Sequence, residues 1–341
     1  MQSVEYLFII LHSALYTIKM ILTVTLNPLL ERRLFFDSVE LGKSNRSEKE
    51  FFTSGGKGIN VSNQLNFLGE KNSALTFLGG NNGKILRHCL TQDKIDFTVV
   101  STKSETRSAD IIIEEKNNRL TTYFGLNNNI TVEEAADFKH KLDKMIQNCS
   151  IVVFAGSSPC KTTDDIFPYG IELANRYDKI SVLDTYGSHL MNCINASPTV
   201  IHNNVDEVER SLGIALRDEK EKLEYLHQLY AKNIKLMFLS DGANSLYAEK
   251  FDFNYKVDPP KVNVIDATGS GDAFVAGIAY GLENSLVFDE FLKIGTALGA
   301  ANALKLTTCD VTFDEMNSYI EQVKVSTIGK KMKLIDDSPN Y

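Results

Sequence analysis

Six short runs rich in apolar and β-branched residues punctuate the chain: ILTVTL (21–26), SALTFLG (73–79), IVVFAG (151–156), ISVLD (180–184), TVIHNN (199–204) and IKLMFLS (234–240). None alternates regularly between apolar and polar side chains. A strand with one wet face would alternate, so these runs predict strands covered on both faces, as in a parallel sheet. Amphipathic stretches lie between them. Gly58–Leu68 stops at Gly69, and Val132–Gln147 carries Glu133 and Glu134 in its first turn, where the helix dipole favours negative charge. The alternation predicts an α/β fold with a doubly wound, mostly parallel sheet flanked by helices. A chain of 341 residues is long enough to build it around one core.

Two regions break this rhythm. Residues 31–53 and 105–125 read as short strands and turns with no helix in either, which predicts a small β-sheet lid beside the main sheet. Phe35, Phe36 and Ile111–Ile113 would then need a cover, supplied by closure over a ligand or by a second copy of the chain. The apolar run at 6–16 is too short to span a bilayer and carries His12, and only Glu5 is charged before it. Residues 1–19 are accordingly expected to be an upstream extension without a targeting role. The folded domain is expected over 20–330, with 331–341 as a C-terminal tail.

Charge and cysteine usage exclude several classes. Acidic residues number 44 against 36 basic ones, a net charge of −8, with no long basic stretch to meet a nucleic acid. The five cysteines are scattered without a C-x-x-C pair, and the six histidines lack metal-ligand spacing. A soluble, cytoplasmic protein acting on small molecules is expected, without nucleic-acid or membrane partners.

Three segments carry candidate chemistry. DATGSGDAF (266–274) places Gly269, Ser270 and Gly271 before a helical pattern, where free N–H groups and the helix dipole attract anions. The next residue is a carboxylate. Asp272 would cap the helix, or take the proton from a hydroxyl that attacks phosphorus. SGGKGIN (54–60) likewise opens a helix: Gly55 and Gly56 let a ligand touch backbone, Lys57 brings positive charge, and Asn60 sits in the first turn. Neither segment has G-x-G-x-x-G or G-x-x-x-x-G-K-[ST] spacing, so a dehydrogenase fingerprint and a P-loop are both excluded. TLNPLLERR (25–33) ends the first strand and puts Glu31 beyond its carboxyl end, where ligands bind in open α/β sheets.

Together these segments resemble the ribokinase-like PfkB family of carbohydrate kinases, from about Met20 to about residue 325. The signatures are Gly55–Asn60 and Asp266–Phe274, in that order. TLNP, AGSSP (155–159) and LDTYG (183–187) look most like the hexose-phosphate branch that holds 1-phosphofructokinase and tagatose-6-phosphate kinase. The resemblance implies an ATP-dependent kinase for a hexose phosphate, with Asp272 as catalytic base and the amides of Gly269, Ser270 and Gly271 as the anion hole. Glu31, Gly55, Gly56, Lys57 and Asn60 would hold the sugar. Lys57 would lie near phosphate, and Arg107 would bind the phosphate the substrate already carries. Asn204 and Glu207 match an N-x-x-E element that orders Mg²⁺ and nucleotide phosphates through water. Ser240 and Gly242 match a nucleotide-contacting S-x-G, and Asn302 falls in the helix that flanks adenine. A monovalent cation near Asp266 is left open. The lid is expected to join two subunits in a homodimer.

The departures fall on the substrate side. Glu31 stands where the family usually has Asp, Ala109 and Ile111 replace polar residues after Arg107, and Tyr123–Leu126 replaces a small polar motif. His202-Asn203-Asn204 replaces K-P-N, and Ser245 replaces a glycine. Two alternatives therefore stay open: a kinase for an unphosphorylated sugar or nucleoside, and a non-catalytic sugar or nucleotide sensor.

Overall fold

The computed structural model describes residues 19–328. The expected tail at 331–341 and all of the expected extension except Lys19 lie outside those residues. In chain order the strands are β1 (Ile21–Thr25), β2 (Leu29–Phe36), β3 (Lys49–Gly55), β4 (Asn72–Gly79), β5 (Phe97–Thr102), β6 (Ser108–Glu114) and β7 (Arg119–Phe124). There follow β8 (Ile151–Ala155), β9 (Ile180–Asp184), β10 (Val200–Asn204), β11 (Leu236–Ser240), β12 (Leu246–Lys250), β13 (Phe253–Asp258) and β14 (Lys324–Ile328). One ten-stranded sheet has the order β14-β13-β12-β11-β10-β9-β8-β1-β4-β5. The seven strands from β11 to β5 pair in parallel, and β12 to β14 form an antiparallel edge.

The lack of polar alternation has a plain cause. In β8, Val152 and Phe154 pack into an apolar cluster with Phe138 and Phe167, from helices Val132–Gln147 and Ile166–Arg176. Ile151, Val153 and Ala155 point the other way, toward Phe274 and Ile278 of helix Ser270–Glu283 and Leu298 of helix Phe288–Asn302. Each fully buried Leu, Ile or Phe in these two layers is worth about 1.5–3 kcal/mol over an exposed one. Helix Val132–Gln147 has the expected bounds. It starts on a capping box: Thr131 Oγ1 accepts from the Glu134 N–H, and the Glu134 carboxylate accepts from the Thr131 N–H.

Successive strands are added on opposite sides of β1, with β4 on one side and β8 on the other. The strand order reverses there, so the carboxyl ends of β1 and β8 flank a crevice suited to ligands. Over it stands the second, four-stranded sheet, ordered β3-β2-β6-β7, with β2 and β6 parallel and the two outer pairs antiparallel. One expectation about this sheet needs correction. Phe35, Ile111 and Ile113 are buried by the chain's own residues, packed with Phe51 and Leu120. The large apolar side chains left in solvent around this sheet are instead Leu41, Phe52, Tyr123, Phe124 and Leu126.

Candidate active site

The turn before helix Ser270–Glu283 is shaped by Gly269, whose φ of 79° is left-handed. A Cβ there would stand 2.2 Å from the Thr308 methyl carbon, so no side chain fits. The Ser270 N–H donates to Ala267 O at 3.1 Å, closing the turn. Of the three amides expected to face an anion, Ser270's is thus already used. Those of Gly269 and Gly271 have no backbone acceptor among the described residues. Asn302, expected beside a nucleotide, is buried and holds this turn. Its Nδ2 donates to Thr268 O (2.8 Å) and Ser270 Oγ (3.3 Å), and its Oδ1 accepts from the Cys309 N–H (2.8 Å). Asp266 Oδ1 accepts from the Thr268 N–H at 2.9 Å.

Asp272, in the first turn of the helix, is buried and accepts a 2.7 Å hydrogen bond from Asn60 Nδ2. Burial pushes its carboxyl up to about 7 against the pull of nearby Lys57, and the charges of Asp184 and Glu207 push the same way as burial. Lys57 lies between two carboxylates, its Nζ 3.2 Å from Asp184 Oδ1 and 3.0 Å from Glu207 Oε1. Burial opposes its charge, but Asp184 and Glu207 outweigh that and hold the ammonium well above its ordinary pKa. Asp184 is fully buried, which disfavours its ionised form. Lys57 and His202 nevertheless hold it down at about 2.

His202 continues the network. An ionised Asp184 can only accept, so His202 Nδ1–H donates to it at 3.1 Å, and Nε2 shares a 3.0 Å hydrogen bond with Ser240 Oγ. Ser240 ends β11 and Gly242 follows it with a φ of 54°. Asn204 caps helix Val205–Leu212 by accepting from the Asp206 N–H, which fixes Glu207 one turn in. The carboxyl ends of β9, β10 and β11 thus deliver Asp184, Asn204 and Ser240 to one side of the crevice. Two carboxylates and an amide there are hard oxygen donors, the kind a magnesium ion takes directly or through water.

On the other side, Glu31 Oε2 accepts from Arg33 Nη2 (2.8 Å), Arg33 Nε (3.2 Å) and Thr53 Oγ1 (3.1 Å). Its second oxygen faces Gly55, where a Cβ would be only 2.7 Å away. Arg107 braces the end of β1, donating to Asn27 O at 3.0 Å and Pro28 O at 3.3 Å, with Asn127 Oδ1 at 3.5 Å. Burial lowers its pKa from the ordinary value.

Asp272, Asn60, Lys57 and Glu207 therefore meet in one place, joined to Ser240 through His202. Glu31 and Gly55 form a separate wall. Lys57 is held by two carboxylates, Asp184 and Glu207. Three residues with evident parts in the site carried no role in the sequence reading: Asp184, His202 and Arg33. Asp184 had a usable signal, because a lone carboxylate ending an apolar parallel strand must face the ligand crevice.

Comparison with known proteins settles the family. The model for pfkB family carbohydrate kinases matches residues 30–314. The chain belongs to the pfkB family. It is an ATP-dependent carbohydrate kinase, and its large, mostly parallel sheet with a small second sheet is the family's ribokinase-like fold. A tagatose-6-phosphate kinase from Staphylococcus epidermidis is 31% identical over 309 residues, covering 90% of this chain and 99% of the relative. A Thermotoga maritima structure described as a possible 1-phosphofructokinase is 25% identical, with a TM-score of 0.83, covering 91% of this chain and 100% of the other. Escherichia coli phosphofructokinase-2 bound to potassium shares the fold at 20% identity and a TM-score of 0.83, covering 89% of this chain and 99% of the other. No helix among the described residues is long and apolar enough to cross a membrane.

Proposed function

We propose that this kinase moves the γ-phosphoryl group of ATP to a hydroxyl of a hexose phosphate, with Asp272 as general base. The observation that carries the base is its setting. A buried carboxyl raised to about 7 and aimed by Asn60 can hold or release a proton near neutral pH. Asp272 takes the hydroxyl proton as the sugar oxygen bonds to phosphorus and the bond to ADP breaks. The products are phosphorylated sugar, ADP and a protonated Asp272. The amides of Gly269 and Gly271 face the transferring group, whose charge spreads over its equatorial oxygens.

Glu31 and the bare backbone of Gly55 and Gly56 orient the sugar. Asn204 and Glu207 would hold Mg²⁺ through water, with Asp184 adjoining, and the bound ion offsets phosphate charge. Ser240 and Gly242 border the nucleotide. Asn302 supports the turn from behind. The likeness to a tagatose-6-phosphate kinase over nearly its whole length supports a phosphorylated hexose, and Arg107 is the guanidinium suited to that phosphate.

A second reading, an unphosphorylated sugar or nucleoside, draws on Arg107 donating to Asn27 O and Pro28 O. ADP release measured across tagatose 6-phosphate, fructose 1-phosphate, fructose 6-phosphate, the free hexoses and nucleosides separates the two. Turnover of the hexose phosphates is expected. Turnover of unphosphorylated acceptors alone would establish the second reading, and ligand-induced stabilisation with no ADP from any acceptor would leave a sensor. We further propose that two copies pair through the small sheet, covering Leu41, Tyr123, Phe124 and Leu126.

A further inference from the structure

Arg33 is a fully buried charge, 2% exposed, and its hydrogen bonds leave in two directions. Toward its own sheet it donates to Glu31 Oε2 (2.8 Å) and to Thr53 Oγ1 (3.3 Å). Toward the main body it donates to Leu306 O and to Thr308 Oγ1 (3.3 Å), about 275 positions along the chain. Neutralising Glu31 requires only the first set. The second set ties the small sheet to residues 306–308, the loop that follows helix Phe288–Asn302.

That loop is itself part of the anion turn's wall. The Thr308 methyl fills the space beside Gly269, and Cys309 Sγ lies 3.3 Å from Gly269 O. The Cys309 N–H is bonded to Asn302, which in turn bonds Thr268 and Ser270. An unbroken line of contacts therefore runs from Glu31 through Arg33 and Thr308 to Gly269. Because Glu31, Arg33 and Thr53 all belong to β2 and β3, moving the small sheet outward keeps the Glu31 pair and breaks the bonds to Leu306 and Thr308.

We propose that Arg33 is a positioning residue that couples the seating of the sugar on Glu31 to the shape of the Gly269 turn. The proposal rests on the reading that Glu31 meets the sugar and that the turn meets the phosphoryl group. With the sheet down, Arg33 bridges both walls, and the turn is braced while the sugar is in place. With the sheet displaced, the brace is gone and the turn is less well formed for transfer to water.

Two variants isolate the bridge. Thr308→Val keeps the methyl group against Gly269 and removes the acceptor oxygen. The pair Glu31→Gln with Arg33→Met removes both charges, so neither is left buried alone. With tagatose 6-phosphate as acceptor, Thr308→Val should lose about 10-fold in kcat with KM for ATP within about 2-fold, the scale of a small misplacement at the reacting centre. Amide hydrogen exchange over 304–309 should speed up about 5-fold or more in both variants, without global loss of protection. Unchanged exchange over 304–309 in both variants overturns the coupling. So does a Thr308→Val defect confined to sugar KM. If the wild type turns over no hexose phosphate, the substrate reading fails, and the exchange measurement still decides whether Arg33 braces the loop.

Discussion

Asn60 Nδ2 lies 2.7 Å from Asp272 Oδ2 and joins two glycine-bearing turns 212 residues apart in sequence. Each turn precedes a helix on the same face of the main sheet, and the bond brings their first turns together. It also tunes the carboxyl proposed as the base. Burial raises the Asp272 carboxyl, and the Asn60 hydrogen bond opposes that rise. Asp272 must be ionised to take a proton, so kcat/KM should fall tenfold per pH unit below about 7. Asn60→Ala should shift that limb to higher pH. Asp272→Ala should cost about 10²- to 10⁴-fold in kcat while the ATP dissociation constant stays within about 2-fold. Rates against pH for the three proteins, with nucleotide binding by calorimetry, check this set, and near wild-type turnover by Asp272→Ala would remove the base assignment.

The same carboxyl bears on stability. Its folded pKa of about 7 lies above the ordinary 3.8, so the unfolded chain gives up this proton more readily. The folded state therefore loses stability as pH rises from about 4 to about 7 and stays at that lower level above it. Asp272→Asn keeps the shape and cannot ionise. It should melt at a higher temperature than wild type at pH 8, with the gap closing as pH falls toward 4. Thermal melts at several pH values test it, and a variant less stable than wild type at pH 8 contradicts it.

Residues that came with a local signal were legible in the sequence, and those whose meaning depended on a distant partner were not. The six parallel strands were legible because both faces are buried, as the split of Val152 and Phe154 from Ile151 and Val153 demonstrates. The antiparallel edge was not. β13 and β14 are half-exposed and mixed in polarity, so their sequence reads no differently from a loop. In the site, Asp272, Lys57 and Asn60 stand in glycine turns that open helices. Asp184 and His202 are single polar residues at or near strand ends, and what defines them is their 3.1 Å contact across neighbouring strands. Arg33 and Glu31 form a buried pair, and the acceptors of Arg33 in the 306–308 loop lie too far along the chain for spacing to suggest them.

The small sheet supplies a test of assembly. Leu126, just past β7, is 92% exposed and Leu41, in the β2–β3 loop, is 86% exposed, and Tyr123 and Phe124 at the end of β7 are exposed as well. Exposed apolar side chains of this size beside a sheet mark association surfaces. Light scattering should give the mass of two chains for the wild type, and Leu126→Asp with Phe124→Ser should give the mass of one. A wild type that stays monomeric at micromolar concentration would rule the pairing out.

Lys57 offers the most discriminating substitution, because stability and the pH profile should both respond. Its ammonium separates Asp184 and Glu207, and removing it leaves two buried or half-buried carboxylates facing each other and Asp272. Breaking a buried ion pair typically costs about 3–5 kcal/mol. The Lys57 side chain is 22% exposed, so Lys57→Met should fall at the lower end of that range. Lys57 also pulls the Asp272 carboxyl down against the rise that burial imposes. Without it the carboxyl should titrate higher still, and the acidic limb of kcat/KM should move to alkaline pH, a shift that merely weakened ATP binding would not produce. Lys57→Arg keeps the charge and should restore most of the stability. Denaturant unfolding and pH–rate profiles of both variants check the assignment, and a Lys57→Met protein with wild-type stability would mean that the two carboxylates do not depend on it.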